Sequence, residues 1–316
     1  MRTRLLPSSN DSVSSEKPEM VKTGHRTVLL QEAIEILEIK VTDVALDATL
    51  GGIGHSRLMA DRLGKKGMLI GFDLDSEAIA RAKDILHGSA SEMLFINKNF
   101  RYIERELQAR EIPHIDKALF DLGWSGFQLT AGRGFSFLRD EPLLMTYGDG
   151  LTGLTAREIV NEWDEESIAD IIYGWGEEHY SRGIARSIVT ERSIKPIETS
   201  MQLAEIVRSS VPAAYRKGRL HPATKTFQAL RIAVNDEMGA LRDGLNGAWN
   251  MLRPGGRIAV ITFHSIEDRF VKQYFLKLET DGLGERVTRK VIAPSREEVR
   301  ENPRARSAKL RVVTKI

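Results

Sequence analysis

The most constraining feature of this 316-residue chain is the stretch Val44–Asp75, VALDATLGGIGHSRLMADRLGKKGMLIGFDLD. Val44 to Leu50 is a short apolar run that ends at Gly51. Gly51, Gly52 and Gly54 let the chain turn tightly and let a ligand approach bare backbone. His55 to Leu63 carries Leu58, Met59 and Leu63 at the spacing of a helix laid on a sheet. A second apolar run, Met68 to Phe72, finishes at Asp73 and Asp75. Strand, glycine turn, helix and a second strand ending in acid is how a doubly wound sheet grips a ribose.

Two cofactor families use that plan. A nicotinamide or flavin enzyme wants G-x-G-x-x-G, whose last glycine allows close helix packing. Here Gly52-Ile53-Gly54-His55-Ser56-Arg57 puts arginine at that place. Asp47 before the turn and Asp73 after it are typical of the other family, the S-adenosylmethionine (AdoMet) methyltransferases, where no pyrophosphate has to be cradled. A tight strand-to-helix connection alone explains the glycines but not an acid at each strand end.

At 41% hydrophobic and 28% charged residues the composition is that of an ordinary globular protein, with room for one large domain or two unequal ones. No apolar run approaches a membrane span. Without cysteine there are no disulfides or thiolate metal sites. The seven histidines are scattered, so no metal is expected and the reaction reads as metal-independent. A net charge of +2 does not by itself indicate nucleic acid. Residues 1–23 are serine-rich and read as a disordered leader, with Asp11, Glu16 and Glu19 arguing against a transit peptide.

Along the chain, helices are expected over Val28–Leu37, His55–Leu63, from Ser76 as N-cap, and over Tyr102–Arg110. Strands are expected at Met93–Ile96 and Ile115–Leu122. This alternation predicts a parallel α/β sheet. It stops at a glycine-rich loop, and Thr155–Gly218 is helical by pattern. From Thr224 to Leu252, apolar residues recur at steps of three and four, predicting one long helix ended by Pro254-Gly255-Gly256. A fifth strand is expected at Arg257–Phe263, then a helix capped by Ser265 with Asp268 at N3, and last strands at Val287–Ile292 and Leu310–Val313. Ligands of such sheets bind outside the carboxyl ends of the strands. Gly52, Gly54, His55, Asp73, Phe100, Asp121, Gln128 and His264 therefore belong to one crevice.

From His25 to about Val313 the chain resembles the bacterial 16S rRNA cytosine-N4 methyltransferases, the MraW family. The resemblance rests on HRTVLLQEAI at His25, GHSR at Gly54, DLG at Asp121, RGFSF at Arg133, HPATKTFQALRIAVNDE at His221, FHSIEDR at Phe263 and NPRARSAKLR at Asn302. It implies methyl transfer from AdoMet to the exocyclic amine of a cytosine in the decoding region of small-subunit rRNA, by a cytoplasmic enzyme. The implied fold is a class I methyltransferase, a Rossmann-like doubly wound sheet with its last strand antiparallel. The catalytic domain is expected over 24–138 and 219–316, with a helical substrate-recognition insertion over 139–218. Cofactor contacts carry over to Ile53, Gly54, His55, Asp73, Phe100, Asp121 and Gln128.

Many amino methyltransferases place [DNS]-P-P-[YFW] after strand four. Here that stretch is Asp121-Leu122-Gly123-Trp124, where the family usually reads DLGVSS. Trp124 is expected to stack on the extruded base while Asp121 or the Leu122 carbonyl takes amine hydrogens. His264 either steers the base or orients its turn. Where the family continues RDGPLDMRMD after RGFSF, this chain has Leu144 and Thr146 in place of an acid and an arginine. The crowd of Arg289, Lys290, Arg296, Arg300, Arg304, Arg306, Lys309 and Arg311 reads as a phosphate-contacting patch for rRNA or the 30S particle. A DNA or other RNA amino methyltransferase, and a non-catalytic AdoMet-binding assembly factor, are the competing functions. Oligomeric state is open. Trp124→Ala is expected to cost about 1–3 kcal/mol of stacking, read as lower kcat or RNA affinity; unchanged values of both would remove Trp124 from the site.

Overall fold

The structure, a computed structural model, describes residues 26–123, 132–147 and 153–316. The expected leader, Trp124 and Gln128 lie outside the described residues. The first half alternates as the hydrophobic pattern predicts: α1 (Leu30–Leu37), β1 (Val44–Asp47), α2 (Gly54–Arg62), β2 (Met68–Phe72), α3 (Ser76–Ile85), β3 (Glu92–Ile96), a 3₁₀ turn at Phe100–Tyr102, α4 (Ile103–Gln108) and β4 (Ile115–Asp121). The helical segment holds α5 (Ala156–Glu162), α6 (Glu165–Gly176), α7 (Ser181–Ile194), α8 (Ser200–Ser210) and the short α9 (Ala213–Arg216). Then come α10 (Thr224–Asn235), α11 (Glu237–Met251), β5 (Leu252–Thr262), α12 (Ser265–Thr280), β6 (Gly284–Arg286), α13 (Arg296–Glu301) and β7 (Lys309–Lys315).

The seven strands form one sheet in the order β3-β2-β1-β4-β5-β7-β6. The first five are parallel and β7 runs antiparallel to both β5 and β6. The expected doubly wound sheet with an antiparallel last strand is therefore present. Successive side chains of a strand point to opposite faces, and both faces are buried here. Ala45, Leu69, Leu119 and Ala259 pack with α1, α2 and α3. Leu46, Ile70, Phe120 and Val260 pack with α4, α11 and α12. A third core joins Ile159, Ile172, Ile188 and Leu203 of the helical segment to Phe135, Leu143 and Met145 before it and to Phe227 and Leu230 of α10.

Three expectations need correction. The long helix is two, because Asp236 is left-handed (φ 45°, ψ 47°) between α10 and α11. Aspartate tolerates that conformation. Asn235 holds the break: its Nδ2 donates to the Arg231 and Met145 carbonyls, and its Oδ1 accepts from the Tyr147 N–H at 2.7 Å. Apolar periodicity continues through the break and so hides it. Second, β5 starts at Leu252 rather than Arg257. Leu252 pairs with Ile115, and the register then jumps to Lys117↔Arg257, so Pro254-Gly255-Gly256 bulges from a strand already begun. Third, β6 lies at Gly284–Arg286, ahead of the expected stretch, where Ile292 makes only an isolated bridge to Leu310.

The helical segment is clamped to the sheet domain at the end of α6. A Cβ on Gly176 would fall 2.7 Å from the Lys225 carbonyl oxygen of α10, so the two helices touch backbone to backbone. Just beyond, Glu177 accepts from Ser265 Oγ at 2.5 Å and from Arg269, both on α12. Gly176→Ala is expected to lower the unfolding free energy by about 1–3 kcal/mol through overpacking, measured by urea titration; unchanged stability would show that this contact can relax.

Candidate active site

The glycine turn after β1 is built by its neighbours. Gly51 is left-handed (φ 47°), and its N–H donates to Asp73 Oδ2 at 2.9 Å. Asp73 Oδ1 accepts from the Asp75 N–H, also at 2.9 Å. Each carboxylate oxygen thus spends one lone pair on backbone and keeps another, the arrangement needed to receive two ribose hydroxyls. Burial raises the Asp73 carboxyl above its ordinary range. Asp75, in extended conformation, caps α3 by accepting from the Glu77 N–H, so the cap falls one residue before the expected Ser76. A Cβ on Gly54 would lie 2.0 Å from Thr27 Oγ1, so the segment before α1 closes directly over the turn.

Ile53 and Phe100 occupy different shells of this wall. Ile53 is left-handed (φ 67°), and its side chain lies in the core under α2. Its N–H donates to the Leu50 carbonyl at 2.7 Å and its carbonyl accepts from the Arg57 N–H at 2.9 Å, so Ile53 shapes the turn while Gly52 and Gly54 line the crevice. Phe100 meets Phe120 edge-on at 5.6 Å. It has room because position 244 of α11 is glycine; a Cβ there would lie 2.5 Å from its ring. Phe100 therefore presents a flat apolar surface suited to an adenine.

Deeper in, two acids and a histidine form a buried group. Asp47 accepts from Ser56 Oγ at 2.5 Å and from the Thr49 N–H at 3.1 Å. Thr49 Oγ1 in turn accepts from the Asp121 N–H at 2.9 Å. Asp121 Oδ1 accepts from the Gly123 N–H at 3.2 Å, and Oδ2 lies 3.4 Å from His55 Nδ1. Burial pushes the His55 imidazole down, but Asp121 and then Asp47 outweigh it and hold it above its ordinary value. His55 Nε2 is buried at the crevice wall and has no hydrogen-bond partner among the described residues. Such a group suits a pocket meant to be filled.

The far end of the crevice is absent from the sequence-based expectations. Tyr147 donates to Glu237 Oε1 at 2.8 Å, and Arg231 donates to Glu237 Oε2 at 2.8 Å. Arg231 is only 5% exposed. Burial, with Glu237 beside it, pushes the Tyr147 hydroxyl well above its ordinary value. His264, not Ser265, caps α12: its Nδ1 accepts from the Glu267 N–H at 3.4 Å, and Glu267 Oε2 accepts from the Phe263 and His264 N–H groups. The helix starts there because β5 ends at Thr262 and His264 is extended. Asp268, expected at N3, instead binds Lys309 and Arg311 at 2.8 and 2.7 Å. Those two cations thus leave the expected phosphate patch, while Arg289, Lys290, Arg296, Arg300, Arg304 and Arg306 stay exposed.

One cavity of about 500 Å³ joins these parts. It brings together Gly52, Gly54, His55, Asp73, Phe100 and Asp121 as expected, and adds Tyr147, Asn235, Glu237 and Glu267. His264 does not line it. Glu237, His264 and Glu267 bring ligand-type atoms within 4.8 Å of one another, a grouping invisible in the sequence spacing. Arg231 already occupies Glu237, as a bound cation would have to. The missed signal was polar residues at 231, 235 and 237 inside an otherwise apolar helical pattern.

Burial lifts Asp47 from 3.8 to about 6. The folded state then holds this proton more tightly than the unfolded chain. Its contribution to stability is complete below 3.8 and lost as pH rises through about 6. The unfolding free energy of the wild type relative to Asp47→Asn is expected to fall by up to about 3 kcal/mol across that window. Urea titrations at its two ends measure this, and a pH-independent difference would contradict it.

The model of the MraW methylase family matches residues 22–316. A protein of Paenibacillus sp. (strain JDR-2) named ribosomal RNA small subunit methyltransferase H is 46% identical over 314 residues, covering 92% of this chain and 99% of the relative. Proteins of the same name from Brevibacillus brevis and Clostridioides difficile are 43% and 42% identical, each covering 92% of this chain and 98% and 99% of the relative. Matched by this family model over nearly its whole length, the chain belongs to the MraW methylase family.

Proposed function

We propose that this protein transfers a methyl group from AdoMet to the exocyclic N4 amine of a cytosine in the decoding region of 16S rRNA. The observation that carries the reading is the 42–46% identity, over 92% of the chain, to proteins named ribosomal RNA small subunit methyltransferase H. The chain is a methyltransferase, and family membership displaces the dehydrogenase alternative. Among the described residues no helix is long and apolar enough to cross a membrane. A cytoplasmic enzyme acting on the 30S particle fits the rRNA substrate.

Bound in the crevice, AdoMet supplies a methyl already activated by its sulfonium. The chain's own residues then have to position and protect. Asp73 receives ribose hydroxyls, Phe100 lies against the adenine, and the bare backbone of Gly52, Ile53 and Gly54 passes the rest of the molecule. Asp121, steadied by Gly123 and His55, puts negative charge near the cationic end. Thr27 and the segment before α1 cover the turn and keep water out. The helical insertion over 139–218 is the substrate-recognition domain. The exposed arginines from Arg289 to Arg306 contact phosphates.

Mass mapping of methylated cytosines in 16S rRNA, with and without the protein, tests this reading. Methylation of one decoding-region cytosine on purified 30S particles is expected, with none on duplex DNA. AdoMet affinity measured by calorimetry should be lost in Asp73→Ala. Methyl transfer to DNA, or binding of AdoMet without turnover on any subunit, would favour a competing function.

A further inference from the structure

We propose that Glu267 reads the target base: its carboxylate accepts a hydrogen of the cytosine 4-amine and takes the proton that methylation releases. This rests on the cytosine reading above. A cytosine amine has two hydrogens in the plane of the ring and needs acceptors on both sides. The two loops able to supply them leave neighbouring strands. β4 and β5 pair through Asp121↔Ile261, and the Leu122 N–H donates to the Ile261 carbonyl at 3.0 Å. The first loop offers the Leu122 carbonyl. The second offers Phe263 and Glu267, both on the cavity wall. The Phe263 ring packs so closely on Gly123 that a Cβ there would fall 2.8 Å from it, and so gives the base a flat neighbour.

Charge supports the assignment. Asp121 has one oxygen on the Gly123 N–H and the other facing His55. At the far end, Arg231 lies against Glu237, and the buried Glu267 carboxylate has the His264 imidazole 2.9 Å from its Oε1. Helix capping accounts for Oε2 of Glu267, which takes both backbone N–H groups. Oε1 makes no backbone bond; it lies 2.9 Å from His264 Nε2, with the second carboxylate, Glu237, within 4.8 Å of the same group. A buried carboxylate backed by an imidazole does suit an amine that becomes cationic as it reacts. In that step the S–CH3 bond breaks with its electron pair left on sulfur, and the amine lone pair forms the N–CH3 bond. One amine proton passes to Glu267 and then through the crevice to solvent.

Glu267→Gln separates this role from capping, because glutamine serves equally at N3 of a capping box. The variant is expected to keep its Tm and AdoMet affinity while kcat on 30S particles falls about 100-fold, the scale of a lost proton acceptor. A second readout needs no turnover. With S-adenosylhomocysteine bound, the wild type should prefer cytidine to uridine in NMR titrations. In Glu267→Gln that preference should shrink or reverse, since an amide can donate to the uridine 4-oxygen. Wild-type kcat and an unchanged nucleoside preference would overturn the proposal. If Glu267→Gln does not fold, Glu267→Asp carries the test: lower kcat with AdoMet binding intact supports it, and wild-type kcat overturns it. Should the wild type itself methylate no rRNA cytosine, the functional reading fails rather than this residue's role within it.

Discussion

The site depends on one buried carboxylate. Asp47, at the end of β1, accepts from Ser56 on α2 and from the Thr49 N–H. Thr49 Oγ1 then accepts from the N–H of Asp121, the last residue of β4. A buried carboxylate is tolerated only when its hydrogen bonds are satisfied, and those bonds here tie the glycine turn, α2 and β4 together. The same tie sets His55 beside Asp121. Its cost is visible in the raised proton affinity of Asp47, and the return is a turn that can leave its glycine backbone open to a ligand.

From that anchor the crevice runs between two chemically different ends. One end is made of glycine backbone, the Asp73 carboxylate and the aromatic face of Phe100, all from the first half of the sheet. The other end is made of side chains from distant segments: Tyr147 before the helical unit, Arg231 and Glu237 astride a helix break, and Glu267 in the first turn of α12. The break at Asp236 is what turns Glu237 back toward Arg231 and Tyr147. An uninterrupted helix would have placed residues 231 and 237 about 120° apart in projection, at 100° per residue. Leu144 and Thr146 precede Tyr147, whose phenol donates to Glu237.

The cofactor half was legible because its signals are local. A glycine turn between apolar runs, with acids at both strand ends, names its own neighbours, and Gly54, His55, Asp73 and Phe100 reach the crevice as expected. The substrate half was legible only as a resemblance. Its helix break leaves apolar periodicity intact, and its cap at His264 competes with an equally plausible Ser265. Lys309 and Arg311 read as surface cations but are consumed by Asp268, 41 and 43 positions away.

The sequence alone determined the alternation of strands and helices and the place of the glycine turn and of Asp73, because these follow from hydrophobic period and from backbone freedom over a few residues. Only the tertiary structure decided which acids are free to act. A carboxylate's role is set by the donors that reach it, and donors such as Arg231, Tyr147 and the N–H groups at the start of α12 arrive through folding rather than through spacing along the chain.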